Sequence, residues 1–360
     1  MYIYGAGNCG RHVFEILSRH YPFQLKFVKG FIDRNKEGQI DKLPIISLKN
    51  VDKRERIVIA INSKDTAIEV QNELNTLGFT DIWWFVGKWK IYGDDFFDEI
   101  CVSCRKWNGV ILKQVEMHVM DACNLNCRGC AHFSPIFKME VPDFESRISD
   151  VELFAKKFGH IIRFVLLGGE PFLNPEIGKY VEEVRRVLPE SQVEIVTNGL
   201  LIPTIDEEIL KSIKRNHVRV SISEYEPTHN IIKKVIDKLE KFKISYEIRR
   251  FERKKIFNIP LSLVKDSVYE KKCISNGCIT IWNGKMARCP TLMYIDEFNK
   301  RFNKSLPNDG IMMISEKISG EELISKFNER VPLCDYCVLN ECEWDVCGNN
   351  VKCSDFAVDN

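Results

Sequence analysis

The chain has 360 residues, a formal net charge of +1 and 44% hydrophobic residues, enough for two or three domains with a full core. The balanced charge excludes the strong global field that attracts nucleic acid or an anionic membrane, so we expect neither partner. The sequence has no apolar run of about 18 residues and no basic, signal-type start, so we expect no membrane insertion and a cytoplasmic location.

Residues 1–95 alternate between strand and helix patterns. Apolar runs at 2–4, 31–33, 56–61 and 82–85 predict strands, and amphipathic patterns predict helices near 13–17 and 66–77. This alternation predicts a small open parallel sheet, in an α/β domain of the Rossmann-like type. Residues 96–111 are predicted to be a linker.

A glycine-rich loop connects the first predicted strand to the first helix. Gly5, Gly7 and Gly10 have the spacing Gly-x-Gly-x-x-Gly, and Asp33 ends the next strand. In this context the loop binds a pyrophosphate and the acidic residue a ribose hydroxyl, so NAD is a candidate ligand. Segments 4–11, 30–33 and 43–47 also resemble the small Rossmann-like domain of sugar acyltransferases, which implies a nucleotide sugar. A docking module that has lost its ligand is an equal alternative.

Residues 112–262 predict a second alternating region. Its predicted strands are 114–119, 161–167, 192–197, 217–223 and 244–248, and its predicted helices are 146–158, 175–187, 205–214 and 229–242. This order predicts a partial (β/α)6 barrel of the TIM type. Residues 263–360 break the pattern and are rich in cysteine, so we expect little hydrophobic core there and metal sites that organise the fold.

Three cysteines follow the first predicted barrel strand. Cys123, Cys127 and Cys130 have the spacing Cys-x3-Cys-x2-Cys, which would hold three irons of a cubane and leave the fourth open. The next strand ends in the run 167–171, Leu-Gly-Gly-Glu-Pro, whose glycines let a ligand approach the backbone. Together these motifs resemble the signature of the radical S-adenosylmethionine (SAM) superfamily.

This resemblance implies that SAM chelates the open iron and that a flavodoxin- or ferredoxin-type partner supplies one electron. Reductive cleavage of SAM would then give a 5′-deoxyadenosyl radical that abstracts hydrogen from the substrate. The resemblance also implies SAM contacts from residues at strand ends, namely Gly168, Gly169, Glu170, Asn198, Ser221 and Ser223. The family often has an aromatic residue before the third cysteine, where this chain has Gly129; His132 and Phe133 are the candidates to compensate.

Strand parity predicts a polar barrel interior. Apolar residues alternate toward the helices, which leaves the polar ones for the interior. Among the interior residues His118, Glu247 and Arg249 are the catalytic candidates, although a structural hydrogen bond is the commoner role for any one of them. As a set they predict a polar substrate.

Eight cysteines lie beyond residue 263, enough for two four-cysteine metal sites, and two zinc ions are one possible content. Their arrangement, with a predicted hairpin at 281–289, resembles the SPASM extension of radical SAM enzymes. That resemblance implies two auxiliary 4Fe–4S clusters, hence three clusters in all. It assigns the first to Cys273, Cys278, Cys289 and Cys347, and the second to Cys334, Cys337, Cys342 and Cys353.

The function predicted from these features is radical modification of a small-molecule substrate, a carbohydrate or nucleotide sugar, because of the N-terminal domain. A basic run at 249–255 would suit a substrate phosphate. One alternative is a peptide or protein maturase, although Pro290 stands where sulfatase-maturating relatives have Asp. Another is a non-catalytic zinc-binding scaffold.

Overall fold

The computed structural model describes residues 1–20, 25, 27–85, 101–103, 111–158, 160–189, 191–249, 256–265, 273 and 277–359. The chain divides into two compact units, residues 1–113 and 114–360. Most of the predicted linker 96–111 and the basic residues 250–255 lie outside the described residues, so these predictions stay untested.

The first unit is built on a seven-stranded sheet of order β3-β4-β2-β1-β5-β6-β7. Its strands are β1 (Tyr2–Tyr4), β2 (Gly30–Ile32), β3 (Gly38–Ile40), β4 (Leu43–Ile46), β5 (Ile57–Ile59), β6 (Ile82–Phe85) and β7 (Cys101–Ser103), and its helices are α1 (Asn8–His20) and α2 (Lys64–Thr76). The pairs among β4, β2, β1, β5 and β6 are parallel, as predicted, and β3 and β7 are antiparallel edges.

The β3–β4 hairpin was not predicted. Its turn residues, Asp41 and Lys42, both have positive φ angles of 47° and 69°. Such turns are usually recognised by Asn-Gly or Asp-Gly, and this turn contains no glycine. The sequence therefore lacks the ordinary signal for a two-residue hairpin.

The second unit contains an eight-stranded sheet of order β12-β11-β10-β9-β8-β14-β15-β16. Its strands are β8 (Ile111–Met120), β9 (His160–Gly168), β10 (Gln192–Thr197), β11 (Arg219–Ser223), β12 (Tyr246–Arg249), β14 (Ile279–Trp282), β15 (Lys285–Ala287) and β16 (Met312–Met313). Strands β9 to β12 run parallel, and β14 pairs in parallel with β8. The unit is thus mixed α/β with a parallel sheet, and closure as a partial TIM-type barrel stays a prediction.

Helices cover the sheet between successive strands. They are α3 (Phe144–Ala155), α4 (Ile177–Val187), α5 (Glu207–Arg215), α6 (Glu226–His229) and α7 (Ile232–Lys241). Val184, Leu210 and Val235 on these helices are fully buried, as are Ile195 and Val220 on the strands. Each such side chain contributes about 1.5–3 kcal/mol by its burial, so this layer fixes the positions of the strand ends.

The predicted C-terminal region extends the same unit. The hairpin β14–β15, expected in a separate cysteine-rich domain, joins the central sheet beside β8. Strand β13 (Ile256–Ser262) pairs with β17 (Cys337–Glu343) and β18 (Ala357–Val358) in a second sheet, and the helices here are α8 (Pro290–Met293), α9 (Ile295–Phe302) and α10 (Gly320–Asn328). The predicted boundary at 262–263 therefore does not separate two sheets.

This region also has a hydrophobic core, contrary to expectation. Phe133, Leu292, Phe298 and Phe356 are fully buried in one cluster with Tyr294. These residues are spread over more than 200 positions and meet only in the folded chain, so the sequence pattern gave no sign that they share a core. Metal binding is thus not the sole source of order here. Within the described parts of the chain, no helix has both the length and the apolar character needed to cross a bilayer.

One constraint at the end of β9 gives a testable prediction. Gly168 has a φ angle of 151°, and a Cβ there would lie 1.9 Å from the Met120 carbonyl oxygen. We expect Gly168→Ala to lower the free energy of unfolding by about 2 kcal/mol or more, because backbone must move to relieve the overlap. Urea unfolding followed by circular dichroism measures it.

Gly178 on α4 provides the matched control. A Cβ there meets Ile209 and Ser212 atoms only at ordinary contact distances of 3.8–4.0 Å. Gly178→Ala should keep or raise stability, since alanine favours a helix over glycine by about 1 kcal/mol. Equal unfolding midpoints for Gly168→Ala and the wild type would contradict the prediction.

Candidate active site

The three cysteines of the 123–130 loop open into one cavity of about 320 Å³. Asn126 and Gly129 turn the loop with φ angles of 51° and 67°, which brings the three thiols to the same side. Burial, together with the negative charges of Glu170 and Cys130, raises the pKa of the Cys123 thiol to about 11. Burial also raises the pKa of Cys127. Thiolates that are buried close together repel one another, so these thiols need a nearby cation before they can lose their protons. A metal cluster supplies that positive charge.

Among the described residues, no three His, Cys, Asp or Glu side chains are arranged around a single ion position. A cubane distributes its cysteine ligands over separate iron atoms, so its sulfurs lie farther apart than those around one ion.

Two glycines bring the end of β9 against the cysteine loop. Gly169 N–H donates to the Met120 carbonyl oxygen at 2.9 Å, and Glu170 N–H donates to that of Ala122 at 3.0 Å. A Cβ on Gly169 would lie 2.1 Å from the Ala122 oxygen. Gly168 and Gly169 both line the cavity, so their backbone is open to a ligand, as predicted for SAM.

Glu170 is fully buried, and it is not one of the residues that line the cavity. Its carboxylate accepts hydrogen bonds from Thr197 Oγ1 at 2.7 Å and from the backbone N–H groups of Asn198 and Phe172 at 2.9 and 3.1 Å. Burial raises the pKa of Glu170 and these three donors lower it, and the net result is a pKa of about 7. In this structure Glu170 positions the Thr197–Asn198 turn, and its predicted contact with the SAM ammonium stays a prediction.

Asn198 and Ser223 lie at the cavity wall as predicted, whereas Ser221 is buried beside it. The Asn198 side chain donates to Asn124 Oδ1 at 2.7 Å. The Ser221 hydroxyl has no hydrogen-bond partner within the described structure. An unpaired buried hydroxyl is uncommon and suits a site that a polar ligand completes.

The cavity wall also contains the charged residues Arg163, Glu116 and Arg249. Arg163 donates two hydrogen bonds to Glu194, at 2.6 and 2.8 Å, and a third to Gln114 at 2.6 Å. Glu116 accepts a hydrogen bond from Thr280 at 2.8 Å, and burial raises its pKa to about 7. The Arg163 charge is therefore paired with that of Glu194, and the raised pKa of Glu116 favours its uncharged form.

Arg249 also lines this wall. Burial of its guanidinium lowers the pKa of Arg249, and repulsion from Arg163 lowers it further. In the part of the chain that the structure describes, the side chain of Arg249 makes no hydrogen bond or ion pair, although the negative charge of Glu194 acts on it. Arg249 is thus an exposed cation at the cavity wall.

The two other catalytic candidates do not line the cavity. Glu247 pairs with Arg219 at the partly exposed surface, although strand parity predicted it inside. The β12 strand is short and lies at the sheet edge, so both of its faces reach solvent. A catalytic role for Glu247 has no support from this geometry.

His118 is fully buried one layer behind the wall. Its Nδ1 lies 3.0 Å from Asp121 Oδ1, and its Nε2 lies 2.8 Å from Nδ1 of His132, which does line the cavity. Tyr294 stacks on His118 with ring centroids 4.3 Å apart. His118 therefore positions His132, and a direct catalytic contact is not indicated.

Charge interactions link the C-terminal cysteines both within and across the two predicted sets. Burial raises the pKa of the Cys289 thiol, with smaller contributions from Cys337 and Cys273. Burial, together with the charges of Cys334 and Cys273, raises the pKa of Cys337 to about 12. The interactions of Cys273 with Cys289 and of Cys334 with Cys337 lie within the predicted sets, whereas those of Cys337 with Cys289 and Cys273 cross between them, so the cluster assignment stays a prediction.

The charge of Cys273 also acts on Cys278, another predicted member of the first set. Cys278 lines the cavity, within 3.8 Å of Gln114. Cys347 is buried beside the 123–130 loop, where its charge acts on Cys127 and that of Cys130 acts on it. Charges from Arg128 and Lys304 act on Cys342 and Cys353 respectively. Sequence spacing does not encode these placements.

The glycine loop of the first unit is closely packed. A Cβ on Gly10 would lie 1.8 Å from the Gly5 carbonyl oxygen, whereas Gly7 faces open space near Lys36. Asp33 accepts hydrogen bonds from the backbone N–H groups of Ala6 at 2.9 Å and Asn35 at 2.9 Å. Asp33 thus holds the loop onto β2, and its predicted ribose contact stays a prediction.

Several residues at or beside the cavity were not singled out from the sequence. Arg163 and Tyr225 line the cavity, Glu194 pairs with Arg163, and Trp344 donates to Cys127. Arg163 and Glu194 had a usable signal, since each is a charged residue inside an apolar strand. Tyr225 and Trp344 had none, because only the fold brings their loops to the cysteines.

Comparison with known proteins agrees with this geometry. Residues 117–250 match the family model described as the Radical SAM superfamily. GTP 3′,8-cyclase of Clostridium acetobutylicum is 28% identical over 144 residues, covering 37% of this chain and 44% of that protein. The Aquifex aeolicus GTP 3′,8-cyclase is 27% identical over 128 residues, covering 33% and 38%. The chain spans less than half the length of these curated relatives.

Solved structures give weaker likenesses. BtrN in complex with AdoMet and 2-DOIA matches with a TM-score of 0.38 and 15% identity, covering 68% of this chain and 98% of that one. Native anSMEcpe with bound AdoMet and the Cp18Cys peptide matches with a TM-score of 0.30 and 21% identity, covering 38% and 42%. Because the family match spans both the cysteine loop and the glycine–glutamate strand end, residues 117–250 form a domain of the Radical SAM superfamily.

Proposed function

We propose that this enzyme performs radical chemistry on a small anionic substrate, a nucleotide sugar or related carbohydrate, bound in the 320 Å³ cavity. The observation that carries the proposal is the convergence of Cys123, Cys127 and Cys130 with the Gly168–Gly169 strand end on that cavity. When bound there, a 4Fe–4S cluster and SAM supply a 5′-deoxyadenosyl radical that removes hydrogen from an unactivated C–H bond.

The chain's own residues support this use of the cavity. The glycines expose backbone groups for a polar ligand, and Glu170 holds Asn198 at the wall. His132 and Tyr225 add ring surfaces beside the cysteines. These partly buried rings exclude water from the place where a reactive radical would form.

Charge distinguishes the proposed substrate class from its alternatives. Arg163 forms an ion pair with Glu194, whereas the Arg249 side chain is attracted by the Glu194 charge but forms no ion pair within the described structure. An unpaired cation at a cavity wall favours a ligand with a phosphate or carboxylate. The named substrate of the matched cyclases, GTP, is itself a phosphorylated nucleotide. A neutral peptide would leave Arg249 unpaired, so the maturase alternative receives less support.

We also propose that Cys273, Cys289, Cys334 and Cys337 hold one auxiliary 4Fe–4S cluster. Charge interactions connect Cys289 with Cys273 and Cys337, and Cys337 with Cys334, and Arg288 lowers the pKa of both Cys289 and Cys337. A cation beside four cysteines stabilises thiolates and the net negative charge of a ligated cluster. Such a cluster could accept the electron left on the substrate radical. A second auxiliary cluster that uses Cys342 and Cys353 stays a prediction.

The first test is turnover. We expect the anaerobically reconstituted enzyme, reduced and supplied with SAM, to release 5′-deoxyadenosine and to take deuterium into it from a labelled nucleotide sugar. Cys127→Ala should abolish release. A fully loaded wild type that releases no 5′-deoxyadenosine with any candidate substrate would exclude the activity. Zinc in place of iron would instead favour the scaffold.

The second test concerns the cysteine grouping. If Cys289 and Cys337 share one cluster, each single Cys→Ala variant should lose about four iron atoms, and the double variant should lose no more than either single one. The grouping that the SPASM resemblance implies expects the double variant to lose about eight iron atoms. Iron analysis after reconstitution decides between them, and Cys9→Ala in the first unit serves as the control that should lose none.

The third test concerns Arg249. Arg249→Ala should weaken binding of UDP-glucose to the loaded enzyme about 10- to 100-fold, the usual effect of losing a hydrogen bond to a charged group. Arg219→Ala is the matched control, because Arg219 is an arginine on the neighbouring strand that pairs with Glu247 away from the cavity. Calorimetric affinities that are equal for Arg249→Ala and the wild type would contradict the assignment.

A further inference from the structure

The C-terminal segment 344–355 forms part of the wall around the cysteine loop. Cys127 and Val346 form an isolated antiparallel bridge. Around it, backbone N–H groups of each segment donate to the other: Arg128 to Asp345 at 3.0 Å, Cys347 to Asn126 at 2.7 Å, and Gly129 to Asp355 at 2.6 Å. The loop is therefore held by residues more than 200 positions away in the chain.

Trp344 uses this attachment to reach a sulfur atom. Its indole Nε1–H donates to Cys127 Sγ at 3.2 Å. The indole nitrogen is a donor only, so the sulfur is the acceptor. Tyr225 packs against the Trp344 ring with centroids 5.4 Å apart and an interplanar angle of 30°, which fixes the direction of the N–H group.

We infer that Trp344 tunes the cluster held by Cys123, Cys127 and Cys130, and that its N–H···S hydrogen bond raises the reduction potential of that cluster. Reduction adds one negative charge to the cluster and its sulfurs, and a donor aimed at a ligand sulfur stabilises that added charge. The inference rests on the part of the proposed function that assigns a cluster to this loop, and it goes beyond it by naming a residue that sets how easily the cluster is reduced.

Trp344 differs from the other donors near these sulfurs in coming from a distant part of the chain. Cys130 accepts hydrogen bonds from His132, Phe133 and Ser134, which directly follow the loop. Leu125 N–H reaches Cys123 Sγ at 3.4 Å from within the loop itself. Asn198 Nδ2 lies 3.8 Å from the same sulfur and bonds more closely to Asn124. Trp344 is supplied by the C-terminal region, so through this contact that region acts on the electronics of the loop as well as on its shape.

The test is a redox titration of the reconstituted holoenzyme, followed by electron paramagnetic resonance. The signal of this cluster is identified as the one that changes when SAM is added. Trp344→Phe should shift its midpoint potential to a more negative value. A second variant, with 3-benzothienylalanine at position 344, replaces the N–H group by sulfur while keeping the ring shape, and it should show the same shift at full iron content.

Trp83→Phe is the matched control. Trp83 lies in the first unit, and its indole N–H donates to Asp81 Oδ1 at 2.7 Å, so the same chemical change occurs away from the cysteines. Its midpoint potential should equal that of the wild type. An unshifted or more positive midpoint in the benzothienylalanine variant would overturn the inference.

The readout is independent of turnover. A wild type that shows the SAM-sensitive signal and the Trp344-dependent shift, yet releases no 5′-deoxyadenosine, would overturn the proposed function and support the inference. A loaded enzyme with no SAM-sensitive signal would overturn both.

Discussion

Gly168 and Gly169 lie so close to the carbonyl groups of Met120 and Ala122 that a Cβ on either would overlap them. Because of this close approach, the backbone N–H groups that follow β9 donate hydrogen bonds to the carbonyl groups at the end of β8, just where the cysteine loop begins. These hydrogen bonds fix the start of the cysteine loop and so the position of its three thiols relative to the cavity. Segment 344–355 then closes the other side of the loop through a second set of backbone hydrogen bonds. The loop is short and irregular, and these two attachments supply the order that its own residues cannot.

Electrostatic pairing then shapes the cavity. Taking ions out of water is costly unless each finds a partner, and the Arg163–Glu194 pair meets this requirement with two hydrogen bonds. Glu116 and Glu170 meet it differently, since burial raises the pKa of each to about 7 and donors satisfy their oxygens. Against that background Arg249 is distinct, because its side chain lines the cavity without an ion pair or hydrogen bond within the described residues.

Much of the fold was predictable because hydrophobic periodicity is local. The parallel strands of both units and the helices between the central strands lie close to where their patterns predicted them. The β3–β4 hairpin was missed because its Asp41–Lys42 turn has no glycine. The addition of β14 to the central sheet and the core around Phe298 were missed because both depend on contacts between distant residues.

The sequence by itself determined the chemistry available to this protein: the three-cysteine loop, the glycine–glutamate strand end and the supply of further thiols. It could do so because these motifs are short and their spacing is fixed by local backbone geometry. Only the tertiary structure decided which groups meet. It placed Glu170 behind Asn198, Glu247 away from the cavity, Cys289 beside Cys337, and Trp344 on Cys127. Such pairings depend on how strands and loops pack, and spacing along the chain contains no record of that packing.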